Sequence, residues 1–563
     1  MTGNILTPLT VWGDFKTEFL PEAELVGEKK VGDVVLSRVY IDGQKTDKGQ
    51  VKIYGVIARG IETGVAPGII IFSDFSRPFD EKTAIDLAKR GYVALAIDLV
   101  GKTEDTDRFT FYPEDIEYAN YYSVKDKIDY IEKDVTGTCW YEWAVAGRYA
   151  TEFLKNQACV NSVSALGIKE GAVVAWQVVA NNDVFSSAVF VMNAGWKSYK
   201  QILKFGSGEE QQFSDDKLKY IAGIEPQSYA KHVKCPCLML SSTNSVYYDV
   251  DRAYDTVARI NENAYRAVNY SVGNTENVGY KAIEHISAFI GAFTDRVDAE
   301  KIKLPEEPDI RCEIKDGEIK AYAEVDKAEL KEVCVYLSEG VVDPTYRTWI
   351  KLSDGKLDGD GKYVFSFRPY GKSQIACLFV KATYKNGFSL CSNIISKRFS
   401  EKEVALGHKE KIIYSGRYSG AESIFTAITP NDAVYGWRET DKTGVTVKKG
   451  PMSIDGVTAK GGLITFKMNT EKFTPDDYAI LMLDLFVKEP TEFTVKLVKD
   501  CYGQRMEYVC TTRVKGGKIW NNIRLEMSRF KTVEGRILKT YQGIDAIEFH
   551  ADGEFLINNA LWI

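Results

Sequence analysis

From Gly49 to about Arg296, short apolar runs alternate with stretches whose apolar residues recur every three to four positions. That alternation predicts parallel strands covered by helices on both faces. The runs Val51–Ala58, Gly68-Ile-Ile-Ile-Phe72, Tyr92–Asp98, Val163–Ile168, Ala188–Met192 and Cys237–Ser241 read as strands. Helices are predicted around 81–90, over 141–156, where Trp143, Ala146, Tyr149, Ala150 and Phe153 share one face, and over 280–294. Beyond Pro305-Glu-Glu-Pro308 the period changes to two, as in Ile319–Val325, Glu332–Leu337 and Ala376–Tyr384. Such alternation describes sandwiches with one buried face per strand. The expected division is an extension over 1–48 packing on the first domain, an α/β domain over 49–297, an immunoglobulin-like sandwich over 309–400 and a jelly roll over 408–563.

A chain of 563 residues exceeds one hydrophobic core. A net charge of −7 argues against a nucleic-acid footprint, which needs a basic face. The first twenty residues show no basic start followed by an apolar core, and no apolar run reaches the ~20 residues of a membrane helix. The ten cysteines form no CxxC pair and read as buried thiols of a cytoplasmic protein. Cys235-Pro-Cys237 opens a strand rather than a redox site. Asp358 and Asp360 lack the further ligands of a calcium loop and read as a hairpin turn. No cofactor or metal is expected, nor any nucleic-acid or membrane partner, and the oligomeric state stays open.

At 163–176 an apolar strand, a turn between Gly167 and Gly171 and an apolar helix follow one another. A G-x-S-x-G turn holds a serine on a sharp strand-to-helix bend, but its middle position here is Lys169, which has no hydroxyl. With Gly91-Tyr92 before the strand ending at Asp98, and Pro236 before the strand from Cys237, residues 35 to 296 resemble the α/β-hydrolase superfamily. Its dienelactone-hydrolase and acetyl-xylan-esterase-like branch is the nearest. The resemblance implies a catalytic acid after the strand 237–241, where this chain has Ser242-Thr-Asn-Ser245, and a histidine in 272–279, where it has none. Lys169, Ser245 and Glu276 therefore mark a vestigial site, with Lys169 expected either to pair with Glu276 or to reach solvent. Asp74, in the loop that would supply an oxyanion N–H, would repel an oxyanion.

Tyr112, Tyr118, Tyr121 and Tyr122 form an aromatic segment suited to a ligand or to a packed lid. The last domain, most clearly in its closing run Gly553-Glu-Phe-Leu-Ile-Asn-Asn-Ala-Leu-Trp-Ile563, resembles galactose-binding-like carbohydrate-binding modules. Sugar recognition needs aromatic faces beside amides, carboxylates or guanidinium groups. Tyr435, Trp437 and Arg438 supply those types, as does Trp520-Asn521-Asn522, although Trp520 and Trp562 also suit a sandwich core. The leading expectation is a catalytically impaired hydrolase-like binding or structural unit with a carbohydrate or glycoconjugate ligand. An active carbohydrate esterase with a non-standard site and a structural subunit of an assembly are the alternatives.

Overall fold

The computed structural model describes residues 4–75, 79–102, 107–124, 127–207, 212–273, 282–295, 303–404, 407–417, 424–427 and 445–563. The chain forms two compact units, the first comprising 1–241, 247–269 and 281–307, the second 242–246, 270–280 and 308–563.

Strands β1 (Ala23–Val31), β2 (Val34–Thr46), β3 (Gly49–Gly60), β4 (Ala66–Phe72), β5 (Val93–Ile97), β6 (Val160–Ile168), β7 (Phe185–Val191), β8 (Cys237–Ser242) and β9 (Arg266–Ser271) lie in the order β1-β2-β3-β5-β4-β6-β7-β8-β9. β5, β4, β6, β7 and β8 pair in parallel, and β1, β2, β3 and β5 antiparallel. Every residue of β4 and β5 is buried, as strands covered on both faces must be. Helices α1 (Glu81–Ala88) and α4 (Ala282–Ala292) pack together, as do α2 (Cys139–Lys155) and α3 (Glu170–Val179).

The segment expected as an extension supplies two strands of this sheet. β1 was missed by pattern because it is an edge strand wet on both faces, its Glu and Lys side chains exposed, so no apolar alternation appears. The residues before it do pack on the unit. Trp12 is buried, donates its indole N–H to the Tyr229 hydroxyl at 3.1 Å, and carries the Arg148 guanidinium 4.5 Å from its ring. Burial pushes the Arg148 guanidinium down to about 10.

The second unit holds two sandwiches. In the first, β10 (Asp309–Lys315), β11 (Glu318–Glu324), β15 (Tyr363–Phe367) and β14 (Lys356–Leu357) form one sheet. Facing it are β17 (Ser389–Cys391), β16 (Ile375–Tyr384), β12 (Leu330–Glu339) and β13 (Ile350–Leu352), with β18 (Ile395–Arg398) also on β16. Ile319, Ala321, Val335, Phe365 and Leu378 fill the core between them. Asp358 accepts the N–H groups of Asp360 and Lys362 at 3.0 and 2.8 Å, so its carboxylate shapes a turn.

In the other sandwich, β19 (Ile412–Ser415) joins β29 (Phe555–Trp562) in a sheet ordered β21-β22-β29-β24-β27, formed with β21 (Thr446–Lys449), β22 (Asp455–Thr458), β24 (Ile480–Val487) and β27 (Asn521–Glu526). The facing sheet is β20 (Phe425–Thr426), β23 (Leu463–Thr465), β28 (Ala546–Ala551), β25 (Thr491–Lys499) and β26 (Met506–Val514), ordered β20-β23-β28-β25-β26. Trp562 lies in the shared core, whereas Trp520 is half-buried outside it. The two sandwiches fall in one unit, and a buried ion pair, Lys472 Nζ to Glu339 at 2.6 Å, ties them. Among the described residues, no helix is long and apolar enough to cross a membrane.

Candidate functional site

The elbow is built at the β6–α3 junction. Lys169 has φ 52° and ψ −118°, a conformation that costs an L-residue on the order of 1–3 kcal/mol. Its flanking glycines are obligatory. A Cβ on Gly171 would lie 2.3 Å from the Phe72 carbonyl oxygen and 2.4 Å from that of Ser73, and one on Gly167 would lie 2.6 Å from Ala172 Cα. These are backbone atoms that no rotamer change can move. Helix α3 is then held to the sheet by Trp176, stacked on Phe190 of β7 with centroids 3.6 Å apart.

The side chain at the bend is enclosed. Lys169 Nζ lies 3.1 Å from Asp74 Oδ2, with only 4% and 9% of the two side chains exposed. Asp74 sits in the loop after β4, where an active hydrolase would present an oxyanion donor. A buried cation therefore meets a buried anion at the place where a serine and an oxyanion would meet. The next residue, Glu170, accepts the Tyr248 hydroxyl at 2.8 Å. Burial, and then the Asp74 charge, push its carboxyl above the ordinary glutamate value. The raised Glu170 carboxyl thus sits beside the Lys169–Asp74 pair. Glu276, the expected partner of Lys169, lies outside the described residues; the partner within them is Asp74.

The other triad positions can be followed in part. Asn244, in the turn after β8, donates through its amide to the carbonyls of Arg347 at 2.7 Å and Pro344 at 3.1 Å, and its neighbour Ser245 is buried. That turn groups with the second unit and serves its packing. The loop expected to carry a histidine lies, from residue 274 onward, outside the described residues. His285 is half-buried within α4.

The aromatic segment is mostly committed to packing. Tyr112 is buried with its hydroxyl donating to the Leu99 carbonyl at 2.8 Å, which removes it as a face for a ligand. Tyr118 donates to Glu142 at 2.8 Å, an acid whose pKa burial raises. Tyr121 packs on Phe75 at 5.6 Å, and Phe75 on Trp143 at 4.7 Å, so these rings pack on one another, while Tyr122 is exposed. Tyr435, Trp437 and Arg438 lie outside the described residues.

Two features had no signature in the linear pattern. Tyr248 reaches Glu170 only through the fold. Asp98, at the end of β5, is fully buried, and its carboxylate accepts the N–H groups of Val100 and Thr110 at 3.0 and 2.6 Å. Burial outweighs those bonds and pushes it up to about 7.

The strand order and the elbow together give the fold. The first unit is α/β-hydrolase-like. No protein-family model matches the chain, and no curated protein matches its sequence. Among solved structures, an acetyl xylan esterase from a Paenibacillus species aligns over 47% of this chain and 84% of its own, at 13% identity and a TM-score of 0.35. Acetyl xylan esterase 1 from a Thermoanaerobacterium species aligns over 48% and 89%, at 14% identity and 0.32. A dienelactone hydrolase-like promiscuous phosphotriesterase from metagenomic libraries aligns over 43% and 82%, at 15% and 0.26.

Proposed function

We propose that this is a hydrolase-like protein without serine-hydrolase activity, whose first unit is a structural scaffold and whose second unit recognises a carbohydrate or glycoconjugate. The buried Lys169–Asp74 pair supports the first half. A nucleophile at this bend must be deprotonated by a nearby base and must face an oxyanion donor. Lys169 offers an ammonium held by a carboxylate, and Asp74 puts negative charge where the oxyanion would form. A reducing, cytoplasmic setting fits ten cysteines that are all free thiols.

Incubation with a fluorophosphonate probe and with p-nitrophenyl acetate tests the proposal. The expected result is neither labelling nor turnover above that of a Lys169→Ala variant. Stoichiometric labelling of any serine overturns it.

A further inference from the structure

We propose that the outer face of the β21-β22-β29-β24-β27 sheet is a binding strip for a neutral oligosaccharide, with Asn522, Asp484 and Asn559 as its hydrogen-bonding row and Phe486 and Trp520 as its apolar platform. This names the site for the carbohydrate reading above and rests on it.

The strip follows from register. Leu483 and Leu485 are fully buried, so the two-residue period of β24 sends Asp484 and Phe486 to the opposite, outer face. Asp484 pairs with Asn522 on one side and Asn559 on the other. Asn522 donates its amide to Asp484 Oδ1 at 3.0 Å, and Asn559 donates to Oδ2 at 2.8 Å. Asn522 is exposed, and Asp484 and Asn559 are half-buried. The carboxylate is thereby fixed in position; Asn559 also donates to the Asn558 oxygen at 2.6 Å, while the exposed Asn522 keeps its end of the row open to solvent.

Two residues along the strands, Phe486 and Trp520 lie with ring centroids 5.9 Å apart. Trp520 rests on backbone: a Cβ on Gly450 or Gly456 would come within 2.6 and 3.0 Å of its ring, and its indole N–H donates to the Pro451 carbonyl at 3.1 Å. Beneath it the loop carries two successive non-glycine residues in left-handed conformation, Met452 at φ 57° and Ser453 at φ 58°. The ring is thus held in one orientation by a loop that bears backbone strain.

A pyranose presents an apolar C–H face and hydroxyls that both donate and accept. An aromatic platform beside an amide–carboxylate–amide row answers both at once. Arg524, two residues beyond Asn522 on β27, donates to the Asn522 oxygen at 3.4 Å, and Glu526 follows two residues further on the same exposed face, so the face carries both signs of charge, which suits a neutral sugar rather than an anion.

Calorimetric titration of the full-length protein with xylohexaose, cellohexaose and mannohexaose is the test, with thermal melts confirming that each variant folds. The wild type is expected to bind at least one of the three. Asp484→Ala and Phe486→Ala should each weaken it roughly ten-fold or more, and Asn522→Ala, at an exposed position, covers the case in which Asp484→Ala misfolds. Binding that survives all three substitutions overturns the strip; its loss in Trp437→Ala then leaves the carbohydrate reading standing. No binding to any of the three sugars contradicts both.

Discussion

The elbow of the first unit and the outer sheet face of the second each hold a carboxylate among nitrogen donors, in opposite surroundings. At the elbow, Asp74 meets Lys169 with both side chains almost wholly enclosed. On the sheet, Asp484 meets two amides in a row that remains open to water. Burial makes the first arrangement expensive to disturb, because a charge left alone in a low dielectric is heavily penalised. Exposure makes the second cheap to disturb structurally and leaves it accessible to solvent. Polar residue types alone therefore do not identify a working site; their access to solvent separates a sealed one from an open one.

The sharpest way to break this contrast is steric. Gly171→Ala sets a methyl against two backbone carbonyl oxygens and should cost about 3 kcal/mol or more, or prevent folding. Denaturant unfolding would show it, and a variant as stable as wild type would remove the elbow geometry. A second difference concerns buried carboxyl groups. Asp98 is held up at about 7 in the fold, against about 3.9 when unfolded. A raised folded value means that its contribution to stability is complete below about pH 4 and is lost as pH rises through about 7. Wild type should accordingly lose melting temperature relative to Asp98→Asn between pH 5 and pH 8. A difference that stays flat across that range contradicts the assignment. The smallest effect belongs to the open face, where Asn522→Ala should change stability by no more than about 0.5 kcal/mol in the absence of sugar.

Much of this architecture could be read from period alone. The buried strands of the first unit are continuous apolar runs, and Gly167 and Gly171 mark the bend because nothing larger fits there. The change to a period of two after Pro308 announces the sandwiches. The edge strand β1 escaped because both its faces are wet. The site was legible only in outline. Lys169 could be placed at the bend from its position between two glycines, but its partner depends on which loop the sheet brings over the bend. That loop follows β4, far back in the chain, and sequence spacing carries no record of the approach. Tyr248 and Asp98 escaped for a related reason, since a tyrosine hydroxyl or a lone aspartate takes its role from what the fold buries around it. On the sheet face, Asn522 was noticed as a chemical type, whereas Asp484 and Asn559 join it only once register is known.

The proposed function turns on the Lys169–Asp74 ion pair that closes the elbow. A double-mutant cycle of Lys169→Ala and Asp74→Ala, measured by denaturant unfolding, tests it most directly. Each single substitution should destabilise by about 3–5 kcal/mol, because it strands a buried charge. The double variant should cost less than the sum, with a coupling of about 1–3 kcal/mol. Additive losses, or a Lys169→Ala protein that unfolds like wild type, would contradict the account.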